Sequence, residues 1–127
     1  MADETKTGAG QSCGTVCGTG TPAASEELIA SLMLAVPGWT RKGNLIEQTF
    51  VFPSDLVAAG FFHAVAVGSN LRNHHAYVTG CFSTWTYGFT THSAGDMLTT
   101  EDFDLAKMVS MLAEKFGAVN VQQTVPA

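Results

Sequence analysis

The segment between Pro53 and Asn73 limits the fold more than any other part of the chain, because VAAGFFHAVAVG (57–68) is apolar or small nearly all the way round. Ser54 is suited to cap a helix there, and Asn73 to end it, since Asn tolerates the left-handed conformation used at helix ends. A helix from Leu56 to Leu71 would keep His63 and its ends as its main polar features. A surface helix of a small monomer shows a polar face. This one therefore has to be covered twice, by its own sheet on one side and by a helix of another subunit on the other. The expectation is a homo-oligomer, a dimer or tetramer joined through the 54–72 helix.

On both sides of this segment the hydrophobic period changes. Ser25, Glu26 and Glu27 read as a capped helix start, Leu28, Ile29, Leu32, Met33 and Val36 repeat at helical spacing, and Pro37-Gly38 ends the run. From Trp39 to Phe52 the period is two, with Ile46, Phe50 and Phe52 on one face and Glu47, Thr49 and Val51 on the other, around a turn at Lys42-Gly43-Asn44. A second hairpin is expected in NHHAYVTGCFSTWTYGFTTH (73–92), with Trp85, Tyr87 and Phe89 on one face of its second strand. A turn at Ser83-Thr84 would set His75 opposite His92. After SAGDML a third helix begins at Thr99, where Thr99-Thr100-Glu101-Asp102 resembles a capping box, and Leu105, Met108, Val109, Leu112 and Phe116 form its apolar stripe. The order helix, hairpin, helix, hairpin, helix predicts an α+β fold, an antiparallel sheet with the helices packed on one face.

Composition removes several function classes. With 127 residues, 46% of them hydrophobic, there is enough for one core. The net charge of −5 comes without a basic cluster, so direct nucleic-acid binding is not expected. No apolar run reaches the roughly 18 to 20 residues of a membrane span, and MADETKTGAG lacks the parts of a signal peptide, so a cytoplasmic protein with no membrane partner is expected. Residues 1–24, rich in Gly, Thr, Ala and Ser, read as a flexible tail, 25–117 as the domain, and 118–127 as a loose C-terminal extension. Cys13, Cys17 and Cys81 make no disulfide framework, and the three-residue spacing of the first two differs from common zinc and thioredoxin motifs.

Three of the four histidines, His74, His75 and His92, lie in the 73–92 stretch. Imidazole has an ordinary pKa near neutrality, so groups of this kind across a hairpin suit general acid-base chemistry. Zinc binding is the competing reading. Adjacent histidines in regular structure aim poorly at one ion, and no nearby carboxylate completes an obvious ligand set, so no metal is expected. His63, inside the apolar helix, reads as an interface residue.

The string Asn73-His74-His75, then Phe82, Thr90-Thr91-His92, Leu98-Thr99, Asp102 and Leu105-Ala106 resembles the pterin-4a-carbinolamine dehydratases. Their pattern is two adjacent histidines, an aromatic residue, a third histidine after nine intervening residues, and a later aspartate. Pro37-Gly38-Trp39 and the run from Phe50 to Phe62 extend the resemblance to about residues 25–116. It implies a four-stranded antiparallel sheet with three helices, often in tetramers joined through the middle helix. It also implies removal of water from a 4a-hydroxytetrahydropterin to give the quinonoid dihydropterin, in tetrahydropterin recycling, with no metal or organic cofactor.

Carried over residue by residue, the resemblance implies His74 and His92 as the acid-base pair and His75 as a catalytic-site residue that mainly positions the substrate. Asn73, Thr90, Thr91 and Ser93 would line the pterin site with the histidines, and Asp102 would support it or serve as a helix cap. Three departures stand out: Asn70 where a charged residue is usual, Ala76 after the histidine pair, and a loop after His92 about one residue longer. The second functional class that the resemblance implies is a non-catalytic, protein-binding assembly or dimerisation cofactor. Retention of all three histidines favours the enzyme.

Overall fold

A computed structural model describes residues 19–124. Three helices and a five-stranded antiparallel sheet make an α+β fold. Helix α1 spans Glu26–Met33 and starts where Ser25 Oγ accepts the Leu28 N–H at 3.1 Å. It is one turn shorter than its apolar period suggests, because the chain bends at Leu34 toward Pro37-Gly38, where Gly38 has φ +90°. Strands β1 (Thr40–Lys42) and β2 (Leu45–Val51) follow as a hairpin. Along β2 the residues alternate, with Ile46, Gln48 and Phe50 buried and their neighbours half-buried, as a sheet with one covered face requires. The apolar period did not foresee the buried Gln48, whose amide oxygen accepts from Asn120 Nδ2 at 2.6 Å.

Helix α2 spans Asp55–Arg72, from the Ser54 cap to Asn73, which takes the left-handed conformation with φ +50°. Its inward face is Ala58, Phe61, Val65 and Ser69. Phe61 is fully buried among the rings of Phe50, Phe52, Tyr87 and Phe116, with centroids 4.8 to 5.8 Å away. Beside it Gly68 meets Met108 of the third helix so closely that a Cβ there would lie 3.0 Å from Cε, which lets the two helices approach. On the remaining faces Leu56, Phe62, Val67 and Leu71 are exposed.

Strands β3 (Tyr77–Cys81) and β4 (Thr84–Phe89) form the second hairpin, and the order across the sheet is β1, β2, β4, β3. Cys81 pairs with Thr84 and Tyr77 with Gly88, so the turn is Phe82-Ser83 and not Ser83-Thr84. Every pairing is thus shifted from the expected register, and the line of pairs does not set His75 opposite His92. The reason is local: Phe82 takes φ +58°, a conformation that costs a non-glycine residue about 1 kcal/mol, and the Trp85 indole N–H closes the turn on the Phe82 carbonyl at 3.0 Å.

After a single 3₁₀ turn at His92–Ala94, helix α3 spans Thr100–Lys115. The anticipated capping box is present: Thr99 Oγ1 accepts the Glu101 N–H at 3.1 Å, and Asp102 Oδ2 accepts the Thr99 N–H at 2.9 Å. Its buried side joins α1, α2, β2 and β4 in one core through Phe103, Leu105, Ala106, Val109 and Ala113. The expected loose end is structured where it leaves α3, since β5 (Val119–Asn120) pairs with Phe50 and Val51 of β2. That fifth strand is too short to leave a hydrophobic period in the sequence. At the other terminus, contacts begin inside the expected tail, where Ala24 N–H donates to Leu98 O at 2.8 Å. Cys13 and Cys17 lie outside the described residues.

Candidate active site

Three segments meet at the open end of the β3–β4 hairpin: residues 73–76, which leave α2, residues 90–97, which follow β4, and the first turn of α3. Asn73 turns the chain out of its helix, and the His74 N–H then donates to Ser69 O at 3.0 Å. This bends the chain inward, so that His74 is 1% exposed and its ring stacks over Phe89 with centroids 6.1 Å apart.

Buried under His74 is Asp102, itself 0% exposed. Its Oδ1 lies 2.7 Å from His74 Nε2, while Oδ2 accepts the Thr91 hydroxyl at 2.7 Å and the Thr99 N–H at 2.9 Å. Thr91 and Thr99 also share a hydroxyl contact of 2.8 Å. Burying a carboxylate is costly unless donors surround it, and this one has three. One oxygen of Asp102 thus caps α3 while the other holds the His74 ring. An acceptor at Nε2 leaves that nitrogen protonated.

His74 Nδ1 has no hydrogen-bond partner, and its nearest carboxylate, Glu101 Oε1, is 3.5 Å away. Burial pushes the Glu101 carboxyl up, but hydrogen bonds from Thr21 and Thr19 and the Coulombic influence of nearby His74 outweigh it, so the group sits below its ordinary range. Thr19 Oγ1 reaches Glu101 Oε2 at 2.7 Å, which brings the segment before α1 against the site. The Thr90 hydroxyl is likewise buried without a hydrogen-bond partner. A polar atom buried in this way costs about 1 to 3 kcal/mol when nothing bonds to it.

His92, 8% exposed, follows directly on Thr91. Its Nδ1 lies 2.5 Å from Asp96 Oδ1, and its Nε2 is 3.1 Å from the Tyr77 hydroxyl, whose ring meets the imidazole edge to face at 5.6 Å. The loop that carries Asp96 closes by a bridge between Thr91 and Met97, through left-handed residues Gly95 and Asp96. His75 goes another way: its Nε2 lies 2.8 Å from Asn70 Oδ1, on the last turn of α2. Asn70, noted in the sequence only as a departure from the pattern, is the partner of that ring. Ser93 and Asn73 are exposed.

The structure thus joins His74, Thr91 and Asp102 in one buried network and places His92 next along the chain. It does not join His75 to His92. Sequence reasoning missed Tyr77 and Asp96; the four-residue spacing between His92 and Asp96 was the available signal for the second, and the first carried none. Among the described residues, no group of three or more His, Cys, Asp and Glu side chains is placed to hold a metal ion, and no helix is long and apolar enough to cross a membrane.

The family model described as pterin 4 alpha carbinolamine dehydratase matches residues 22–112. A protein of Nocardia farcinica carrying the name pterin-4-alpha-carbinolamine dehydratase is 36% identical over 89 residues, which are 70% of this chain and 93% of the relative. One of the same name from Thermosynechococcus vestitus is 35% identical over 92 residues, covering 72% of this chain and 92% of the relative. The crystal structure of a transcriptional coactivator/pterin dehydratase from Brucella melitensis shares the fold, with a TM-score of 0.68 at 22% identity over 72% of this chain and 98% of that one.

Proposed function

The chain belongs to the pterin 4 alpha carbinolamine dehydratase family of hydro-lyases, and we propose that it dehydrates a 4a-hydroxytetrahydropterin to the quinonoid dihydropterin by histidine general acid-base catalysis. The reaction breaks the C4a–O bond with proton donation to the leaving hydroxyl, and removes the proton from N5. Nothing is oxidised or reduced. Acid and base are both required, and His74 and His92 fill these roles, with His75 and its partner Asn70 positioning the ring. Thr90, Thr91, Asn73 and Ser93 line the pterin site.

The observation that carries this reading is that two of the three buried side-chain polar atoms without a hydrogen-bond partner among the described residues, His74 Nδ1 and Thr90 Oγ1, lie at the end of the same hairpin, the third being Ser69 Oγ on α2. Both lie in the motif stretch, and a heterocycle with donors and acceptors on its edge would satisfy them. Asp102 then acts as a support, by holding the proton on His74 Nε2 and directing Nδ1 away from itself.

The reading extends to place and assembly. The enzyme works in tetrahydropterin recycling in the cytoplasm, without a metal or organic cofactor, as a homo-oligomer built through α2. Exposed Leu56, Phe62, Val67 and Leu71 on that helix support the assembly. The unit that acts is residues 25–117, with its helices on one face of the sheet, as the alternation along β2 suggests. A second, protein-binding reading draws on the coactivator half of the Brucella melitensis description and would use the same helix face. Direct assay of 4a-hydroxytetrahydropterin dehydration, with the spontaneous reaction subtracted, separates the two. His74→Ala and His92→Ala should each lower the rate by roughly 10² to 10⁴. Unchanged rates in both would remove the acid-base assignment.

A further inference from the structure

His92 is held at both nitrogens, and the chemistry of the two partners sets the direction of the whole chain. Asp96 lies on Nδ1 at 2.5 Å and the Tyr77 hydroxyl on Nε2 at 3.1 Å. An ionised carboxylate accepts and cannot donate, so Nδ1 carries a proton. In the neutral ring Nε2 is then the acceptor, and the Tyr77 O–H is the donor. Phenol, imidazole and carboxylate are thereby aligned in one sense.

The local backbone holds this arrangement. Asp96 has φ +60°, a conformation that Asp tolerates better than most residues, and its N–H donates to Thr91 O at 3.1 Å. Gly95 N–H donates to His92 O at 3.0 Å, and Thr91 N–H to Met97 O at 3.1 Å. Tyr77 comes from a different element, the first residue of β3. The His92 side chain is 3% exposed, whereas Tyr77 is 53% exposed, so the phenol is the end of the chain that a solute reaches.

We propose that Tyr77, His92 and Asp96 form a proton relay that takes the N5 proton of the pterin, with Tyr77 as the catalytic residue that touches the substrate and Asp96 as a positioning residue. The proposal rests on the dehydratase reading above. In the step, the N5–H bond breaks and its proton passes to Tyr77 Oη while the phenolic proton moves to His92 Nε2. The electron pair released at N5 forms the N5–C4a double bond, and the C4a–O bond breaks. The hydroxyl leaves as water with the Nδ1 proton of the imidazolium form of His74, whose Nε2–H stays on Asp102. Asp96 stabilises the imidazolium formed on His92, by the logic that a carboxylate serves in a hydrolytic triad. Solvent then removes one proton from His92 and returns one to His74, so the cycle balances.

Three measurements on the full chain test this. In Tyr77→Phe, kcat should fall roughly 10- to 10²-fold with KM changed less than about threefold. Equal turnover in that variant would overturn the relay. Asp96→Asn keeps the left-handed residue and its size; kcat should fall in the same direction. The ¹⁵N signals of His92 should report an Nδ1–H ring in the parent chain and should move toward the Nε2–H form in this variant. A parent ring already in the Nε2–H form, or signals unmoved by Asp96→Asn, would overturn the assignment of Asp96. A parent chain with no dehydratase activity would remove the function reading and the N5 step with it, and the tautomer measurement would then decide only the alignment of Tyr77, His92 and Asp96.

Discussion

His74 and His92 each rest on an aspartate, yet the two pairs are built for different surroundings. Asp102 is fully buried and bound by three donors, one of which is the start of α3, so its loss would reach the fold. Asp96 is exposed on a loop and bonds one ring, so its loss would reach only that ring. The difference teaches that the same chemical device, a carboxylate fixing an imidazole, is structural where it is dry and separable from the fold where it is wet.

The largest effect expected from breaking this contrast is in Asp102→Ala. Removing one partner of a buried, hydrogen-bonded pair costs about 3 to 5 kcal/mol, which urea denaturation would read as a lower midpoint. A variant as stable as the parent would show that the buried pair does not support the fold. A smaller effect, confined to acid, is expected at Glu101. Its folded-state pKa is below the ordinary value of 4.5, so the folded chain binds that proton less readily than the unfolded one. The stability this gives is present above the unfolded value and is lost as the pH falls through the folded one. The parent chain should therefore lose more stability than Glu101→Gln on acidification below about pH 5. Equal slopes would contradict the role given to Thr19 and Thr21. The smallest effect belongs to Asp96→Asn, expected to stay within about 0.5 kcal/mol of the parent, so that its loss of turnover is not a loss of folding.

Much of the fold was legible because it rests on local chemistry. The Ser25, Ser54 and Thr99 caps, the period-two strand with Ile46 and Phe50, and the end of α2 at Asn73 are all set by residues within a few positions of one another. The hairpin register was not legible, since it depends on a phenylalanine occupying a left-handed position that sequence preference assigns to Gly or Asn. Strand β5 escaped because a pair of residues carries no period. At the site, His74, Thr91 and Asp102 could be named but not their common network, which joins groups separated by up to 28 residues. Tyr77 acts on His92 only through the folded geometry and nothing in its sequence neighbourhood marked it, whereas Asp96 carried only its four-residue spacing from His92 and Asn70 only its departure from the pattern.

The central claim is that one pterin site lies between two carboxylate-held histidines. A crystal structure of the chain soaked with a dihydropterin tests it most directly. The account expects the pterin ring at the open end of the β3–β4 hairpin, with His74 Nδ1 and the Tyr77 hydroxyl within hydrogen-bond distance of its edge. A ring bound elsewhere, such as the groove of about 620 Å³ between Gln48, Ser110 and Asn120, with both histidines untouched, would contradict it.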